Sequence, residues 1–357
     1  MPLHSSNRAF IAAAGSGKTE DLVNRALAIP PDEGILLTTF TNNGAKEIRE
    51  RLIQKRGVVP SNIDVLTWFA FLLRHGVKPY QQTFLDVNVV AGLINVKRLG
   101  RPRKGTIAYY VNSSNRVYGE FLAEFVLLLN AEANGAVVDR VTRIYKHFFF
   151  DEIQDISARD FEVVHLFLDS PMAVTLSGDP RQATFSTTTS RTNRKWSGFG
   201  IADWLEGLDA ERVLRLEEHN FSRRCVQDIC DFGDKIFPQL TPTSSLNTTS
   251  TEHDGVFLVR TTDVDAYVNA FAPQLLVWQK TSNTYGLSAR NMGEVKGLTF
   301  PRVLIGPTVP MEEYLRKGLV LVPGARSKLY VAATRARQSA TIVLDKPGNC
   351  QLPYWSP

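Results

Sequence analysis

Short apolar runs recur along the chain, each followed by a stretch in which apolar and polar positions alternate with helical spacing. In the first half they fall at 10–14, 35–40, 63–67, 147–150 and 173–177. Rich in Val, Ile and Phe and without strict alternation, they have the pattern of parallel strands covered by helices on both faces. A second series falls at 213–216, 256–259, 275–279, 303–305 and 341–344. The succession of strand and helix predicts an α/β fold with parallel sheets. The two series predict two domains, 1–211 and 212–357, joined near residues 209–212. A stretch at about 76–139, with helical patterning at 119–130, reads as a short helical insertion in the first domain. It carries the basic run Lys97 to Lys104, which is either a solvated loop or a phosphate contact. The polar segment 241–251 reads as a loop.

Composition narrows the class. With 357 residues, 43% hydrophobic and 22% charged, the chain has enough apolar content for two cores. No segment approaches the ~18 consecutive apolar residues of a membrane span, and the opening MPLHSSNRAF lacks a charged-then-apolar signal pattern. The expectation is a cytoplasmic protein with no membrane partner. The three cysteines (Cys225, Cys230, Cys350) lack metal spacing and suit free thiols in a reducing compartment. The net charge of +5 favours a polyanionic partner only weakly.

Specific chemistry enters with Ala14-Gly15-Ser16-Gly17-Lys18-Thr19, which follows the first apolar run. A glycine loop ahead of a helix wraps backbone amides round phosphate oxygens, the lysine reaches the β- and γ-phosphates, and the hydroxyl of Thr19 takes Mg²⁺. The run His147-Phe148-Phe149-Phe150 ends in Asp151-Glu152, which sets two carboxylates at the carboxyl edge of a parallel sheet, where ligands bind. Ser177-Gly178-Asp179-Pro180-Arg181-Gln182 also follows a strand.

Seven segments occur in order: AAAGSGKT, TFTNNGAKEIRERL, LTWF, DEIQD, SGDPRQATF, VKGLTF and YVAATRA. Together they resemble the UvrD/Rep/PcrA branch of superfamily 1 helicases, from Ala12 to about Leu344. The resemblance implies two RecA-like P-loop NTPase domains, with ATP and Mg²⁺ as cofactors. It implies that Asp151 holds Mg²⁺, Glu152 polarises the attacking water and Gln182 senses the γ-phosphate. Arg335 matches the arginine finger and Arg224 a second arginine, both supplied by the second domain. A structural salt bridge is the competing reading for each arginine. For single-stranded DNA the resemblance implies Thr41 and Asn42, then Thr67, Trp68 and Phe69, with Phe185, Trp196 and Lys296 further along. Hydroxyls and amides hold phosphates and exposed aromatics stack bases. For Trp68 and Phe69, core packing competes with that role.

The chain departs from the family in several places. Only about 65 residues separate Cys225 from Asn291, where relatives carry a large accessory insertion. None of the 14 residues before Gly15 is the glutamine that reads adenine, and Arg223 stands where an aromatic is usual. Ser186-Thr187-Thr188-Thr189-Ser190 replaces an aromatic-Arg-Gly-Ala sequence, and Thr299 takes the place of a glutamate. The resemblance implies an ATP-hydrolysing, single-stranded-DNA-stimulated superfamily 1A translocase or helicase, with 3′-to-5′ polarity and DNA with single-stranded ends as substrate. Small UvrD-like chains with a GDPRQATF-type motif resemble subunits of antiphage (antiviral) systems such as Gabija, which implies a nuclease partner of the overcoming-lysogenization-defect type. The alternative is a regulatory subunit that senses nucleotide or DNA ends without processive movement.

Overall fold

Ile35-Leu36-Leu37-Thr38-Thr39 is buried at every position, as a strand with neighbours on both edges and helices on both faces must be. In the computed structural model, which describes residues 6–83, 90–184, 192–279 and 281–357, this run is β2 of a six-stranded sheet. The strands in chain order are β1 (Arg8–Ala12), β2 (Ile35–Thr39), β3 (Ile63–Thr67), a short pair β4 (Gly92–Ile94) and β5 (Arg116–Tyr118), β6 (His147–Asp151), β7 (Ala173–Gly178) and β8 (Arg215–His219). The sheet order is β3-β2-β6-β7-β1-β8. β2 lies parallel to β3 and β6, and β6 parallel to β7. Helices Lys18–Leu27 and Asn42–Arg56 bury Leu22, Val23, Ala45, Ile48 and Leu52 against Leu37, Val65 and Phe149.

Later residues supply β9 (Phe221–Ser222), β10 (Ser244–Ser245), β11 (Gly255–Val259), β12 (Gln274–Val277), β13 (Ala289–Asn291), β14 (Phe300–Ile305) and β15 (Ala336–Val343). Five of them form a second parallel sheet, β11-β15-β14-β12-β13, around Val259, Tyr267, Leu275, Leu304 and Val343. Strands β2, β3, β6 and β7 of the first sheet and all five strands of the second run parallel, the RecA-like α/β architecture that the motif series implies.

Contacts divide the chain into two units: 1–10, 19–178 and 186–217, and then 11–18, 179–185 and 218–357. The glycine loop and the Asp179–Gln182 turn therefore group with the later residues.

One predicted strand changes sheets. The run at 213–216 was expected to open the second series, yet β8 belongs to the six-stranded sheet. The cause is Asn7, 1% exposed. Its carboxamide donates to Leu168 O at 2.9 Å and Val213 O at 3.1 Å and accepts from Val174 N–H at 3.0 Å, and Arg215 N–H donates to Asn7 O. A buried amide with every group satisfied fastens these segments together.

In the insertion the patterned stretch forms the helix Leu122–Glu132, and a second helix, Ala136–Ile144, follows it and runs past the expected end near residue 139. Two cations of the basic run have partners within the insertion. The Arg98 guanidinium lies over Tyr109 and Phe121 at 4.1 and 4.4 Å, and Lys104 pairs with Glu124 at 2.9 Å. Among the described residues no single helix is long and apolar enough to cross a membrane.

Candidate nucleotide site

The glycine loop owes its shape to two left-handed residues, Gly15 at φ +79° and Gly17 at φ +95°. At Gly15 a Cβ would lie 2.6 Å from both Arg224 Cβ and Ser222 Oγ, so only glycine fits the close approach. Arg223 N–H donates to Gly15 O at 2.9 Å and fixes the loop. At Gly17 a Cβ would meet none of the described residues within 4 Å, and that face is open among them. Ser16 Oγ is buried with no hydrogen-bond partner among the described residues, a costly state for a hydroxyl unless a ligand satisfies it. Lys18 Nζ reaches back to Ala12 O at 3.2 Å. An orphaned hydroxyl, an open glycine face, a lysine and a helix N-terminus suit the phosphates of a nucleoside triphosphate.

Within the same unit a chain of hydrogen bonds runs from this loop to Arg335. Ala14 N–H donates to Tyr330 Oη at 3.3 Å, and Tyr330 donates to Asp179 Oδ2 at 3.2 Å. Asp179 also accepts from Gln182 Nε2 at 2.8 Å, and Gln182 Oε1 accepts from the Arg335 guanidinium at 3.1 Å. Tyr330, Asp179 and Arg335 are all buried, and burial pushes the Tyr330 hydroxyl well above its ordinary pKa. It therefore stays a donor at all working pH. Both ends of the Gln182 carboxamide are held, so its orientation is fixed. Arg224 donates to Thr334 O at 3.0 Å, which ties the second arginine to the segment that carries Arg335. Asp179 and Tyr330 received no role from sequence, although both stand inside quoted motifs.

The other unit carries the carboxylates. Thr19 Oγ1 donates to Asp151 Oδ2 at 2.6 Å, and Glu152 N–H donates to Asp151 Oδ1 at 3.0 Å. A hydroxyl and a carboxylate side by side are hard oxygen ligands of the kind Mg²⁺ accepts, with phosphate oxygens and water completing its shell. Glu152 sits at φ +59°, a left-handed conformation that costs a non-glycine residue energy and re-aims its side chain at the strand end. Gln154 Nε2 donates to Glu152 Oε2 and orients that carboxylate. A Cβ on Gly178 would lie 2.5 Å from Gln154 Oε1, so the glycine makes room for this orienting amide. Sequence reasoning gave Gln154 no role.

The residues expected to touch DNA divide. Thr41 and Thr67 follow or end the adjacent strands β2 and β3, and both hydroxyls cap helices, accepting from Gly44 N–H at 3.0 Å and Ala70 N–H at 3.2 Å. Asn42 is exposed, and Phe69 is half-buried with its ring 5.2 Å from Phe40. Trp68 is not a stacking face. It is 0% exposed, lies 4.9 Å from the Phe150 ring and 5.6 Å from Phe71, and its Nε1–H donates to Asp160 Oδ1 at 2.7 Å. Core packing wins because the indole nitrogen finds a buried acceptor while the ring fills the aromatic layer. Burial pushes the Asp160 carboxyl up to about 6, against the opposing pull of the Trp68 and Ser157 N–H groups. Trp196 is half-buried, 5.7 Å from Phe161. Lys296 is half-buried in the other unit. Phe185 lies outside the described residues.

Residues 3–92 match the family model of the UvrD/REP helicase N-terminal domain. None of the curated proteins matches the chain. Among solved structures it is similar to a crystal structure of Arterivirus nonstructural protein 10, a helicase, with 19% identity and a TM-score of 0.47 over 95% of this chain. The complex of that helicase with DNA gives the same identity and TM-score over 95% of this chain. The chain spans 59% and 61% of the length of these two.

Proposed function

We propose that this chain, whose residues 3–92 match the family model of the UvrD/REP helicase N-terminal domain, hydrolyses ATP with Mg²⁺ to move along single-stranded DNA, as a superfamily 1A translocase or helicase of 3′-to-5′ polarity. The observation that carries the reading is the Thr19–Asp151 pair at 2.6 Å with Glu152 next to it. A metal-ligand pair beside a carboxylate in a strained, re-aimed conformation is the apparatus of phosphoryl transfer to water.

Bound MgATP supplies the phosphoanhydride to be broken and a metal charge that offsets the negative phosphates. Lys18 and Ser16 Oγ hold phosphate oxygens, while Thr19 and Asp151 supply oxygen ligands. Glu152 accepts a proton from the attacking water at a carboxylate oxygen, held in place by Gln154. Gln182, fixed between Asp179 and Arg335, orients toward the terminal phosphate, and Arg335 and Arg224 offset charge that develops there. Thr41, Asn42, Thr67 and Phe69 contact the DNA. A nuclease partner in antiphage defence in the cytoplasm is part of the same proposal and rests on the GDPRQATF-type motif.

The test is phosphate release from ATP with and without single-stranded DNA, followed by strand displacement on duplexes with 3′ or 5′ tails. Stimulated turnover with displacement from the 3′-tailed duplex is expected. Absence of turnover under both conditions overturns the reading, and stimulated turnover without displacement favours a sensing subunit.

A further inference from the structure

Away from the nucleotide residues, the first unit holds a cavity of about 360 Å³ walled by Phe161, Trp204 and Trp196, the last a residue expected from sequence to stack a base. The rings form a cluster, with Phe161 5.1 Å from Trp204 in an edge contact and 5.7 Å from Trp196. Asp203 and Glu211 also line the cavity, with Glu162, whose carboxylate is already paired with the Arg159 guanidinium at 2.6 Å. Phe161, Trp204 and Leu208 are nearly fully buried, so the floor is apolar, whereas Asp203 and Glu211 are exposed.

Gly207 lies in the interior of the helix Ile201–Ala210, on the stripe that Asp203 and Glu211 share at intervals of four residues. Glycine is among the least favourable residues for a helix interior. Neither a left-handed backbone nor crowding calls for one here, since an added Cβ would meet none of the described residues within 4 Å. What glycine does provide is a notch: the space a side chain would fill belongs to the cavity.

Indole faces attract cations, carboxylates add charge attraction, and an apolar floor favours an alkyl body. The ammonium of exposed Lys195 already lies 4.6 Å from the Trp196 ring centroid. The same carboxylates would repel phosphate, which sets this pocket apart from the base-stacking role expected for Trp196. We propose that the cavity is a binding site for an alkylammonium ion, reached through the Gly207 notch. Free quaternary amines and the lysine side chain of a protein segment share that chemistry.

The test titrates the full chain with choline, with its neutral carbon isostere 3,3-dimethyl-1-butanol and with Nα-acetyl-lysine methylamide, followed by calorimetry and tryptophan fluorescence. Choline or the lysine derivative is expected to bind at least tenfold more tightly than the isostere, and the stronger of the two identifies the source. Gly207→Leu, which fills the notch, should abolish cation binding. A double Asp203→Asn, Glu211→Gln variant, altered only at exposed positions, should weaken it at least tenfold and leave the isostere unaffected. Equal binding of choline and the isostere, no heat from either cation at millimolar concentration, or full binding by the double variant would overturn the proposal.

Discussion

The indole Nε1–H of Trp68 donates to Asp160 Oδ1 at 2.7 Å, a hydrogen bond between two buried side chains 92 residues apart. Trp68→Phe keeps most of the ring volume but deprives the carboxylate of its donor. The expected cost is about 1–3 kcal/mol at pH 7. It should shrink at pH 5, where Asp160, already raised to about 6, carries a proton and no longer needs the donor as strongly. Urea unfolding of both proteins at the two pH values measures the difference. A cost that grows on acidification would show that the bond is not what holds Asp160.

Lys18→Ala should abolish nucleotide binding, whereas Glu152→Gln should bind nucleotide and hydrolyse it roughly 10²–10⁴-fold more slowly, the range of a lost general base. Fluorescent-nucleotide titration and phosphate release separate the two. Near-normal turnover in Glu152→Gln would remove that residue from the chemistry.

Two histidines predict acid sensitivity. Burial, with the charges of Arg140 and Arg74, holds His75 down to about 4, and burial with Arg302 does the same for His253. Both rings stay neutral in the folded chain while an unfolded histidine takes a proton near its ordinary pKa of about 6.5. Their contribution to stability is therefore present above that value and is lost as pH falls toward 4. Between pH 7 and 5 each should cost about 2 kcal/mol. NMR titration of the ring protons checks this; midpoints near the ordinary value would rule it out.

Nucleotide choice should be broad. The Arg223 guanidinium lies 5.2 Å over the Phe221 ring, at the position where the family resemblance implies an aromatic for adenine. A base held without hydrogen bonds to its edge is weakly discriminated. GTP should support hydrolysis within tenfold of ATP in kcat/KM, about 1.4 kcal/mol. An ATP preference of several hundredfold would mean that other residues read the base.

The glycine loop could be read from sequence because its backbone demands glycine: φ +95° at Gly17 and the 2.6 Å approach at Gly15 leave their mark on residue type. Hydrophobic runs likewise located most strands. They did not reveal which sheet a strand joins, and β8 went to the first because of Asn7, whose amide has no periodicity to detect. Trp68 shows the same limit for side chains, since an indole looks alike in sequence whether it faces a base or a buried carboxylate. The Ala14–Tyr330 bond spans 316 residues and leaves no local trace.

Asn7 also has a consequence in time. The amide that joins β1, β7 and β8 reaches Val213, 206 residues later in the chain. At about 5–20 residues per second, a ribosome needs roughly 10–40 s between making the first partner and the last. Through that interval the strand that leads into the glycine loop exists without its edge neighbour. The nucleotide-binding loop is synthesised about 200 residues before the last partner of its supporting sheet. A nascent chain halted before Val213 should therefore carry the phosphate-binding sequence with an unclosed sheet edge, the state in which a waiting chaperone would meet it.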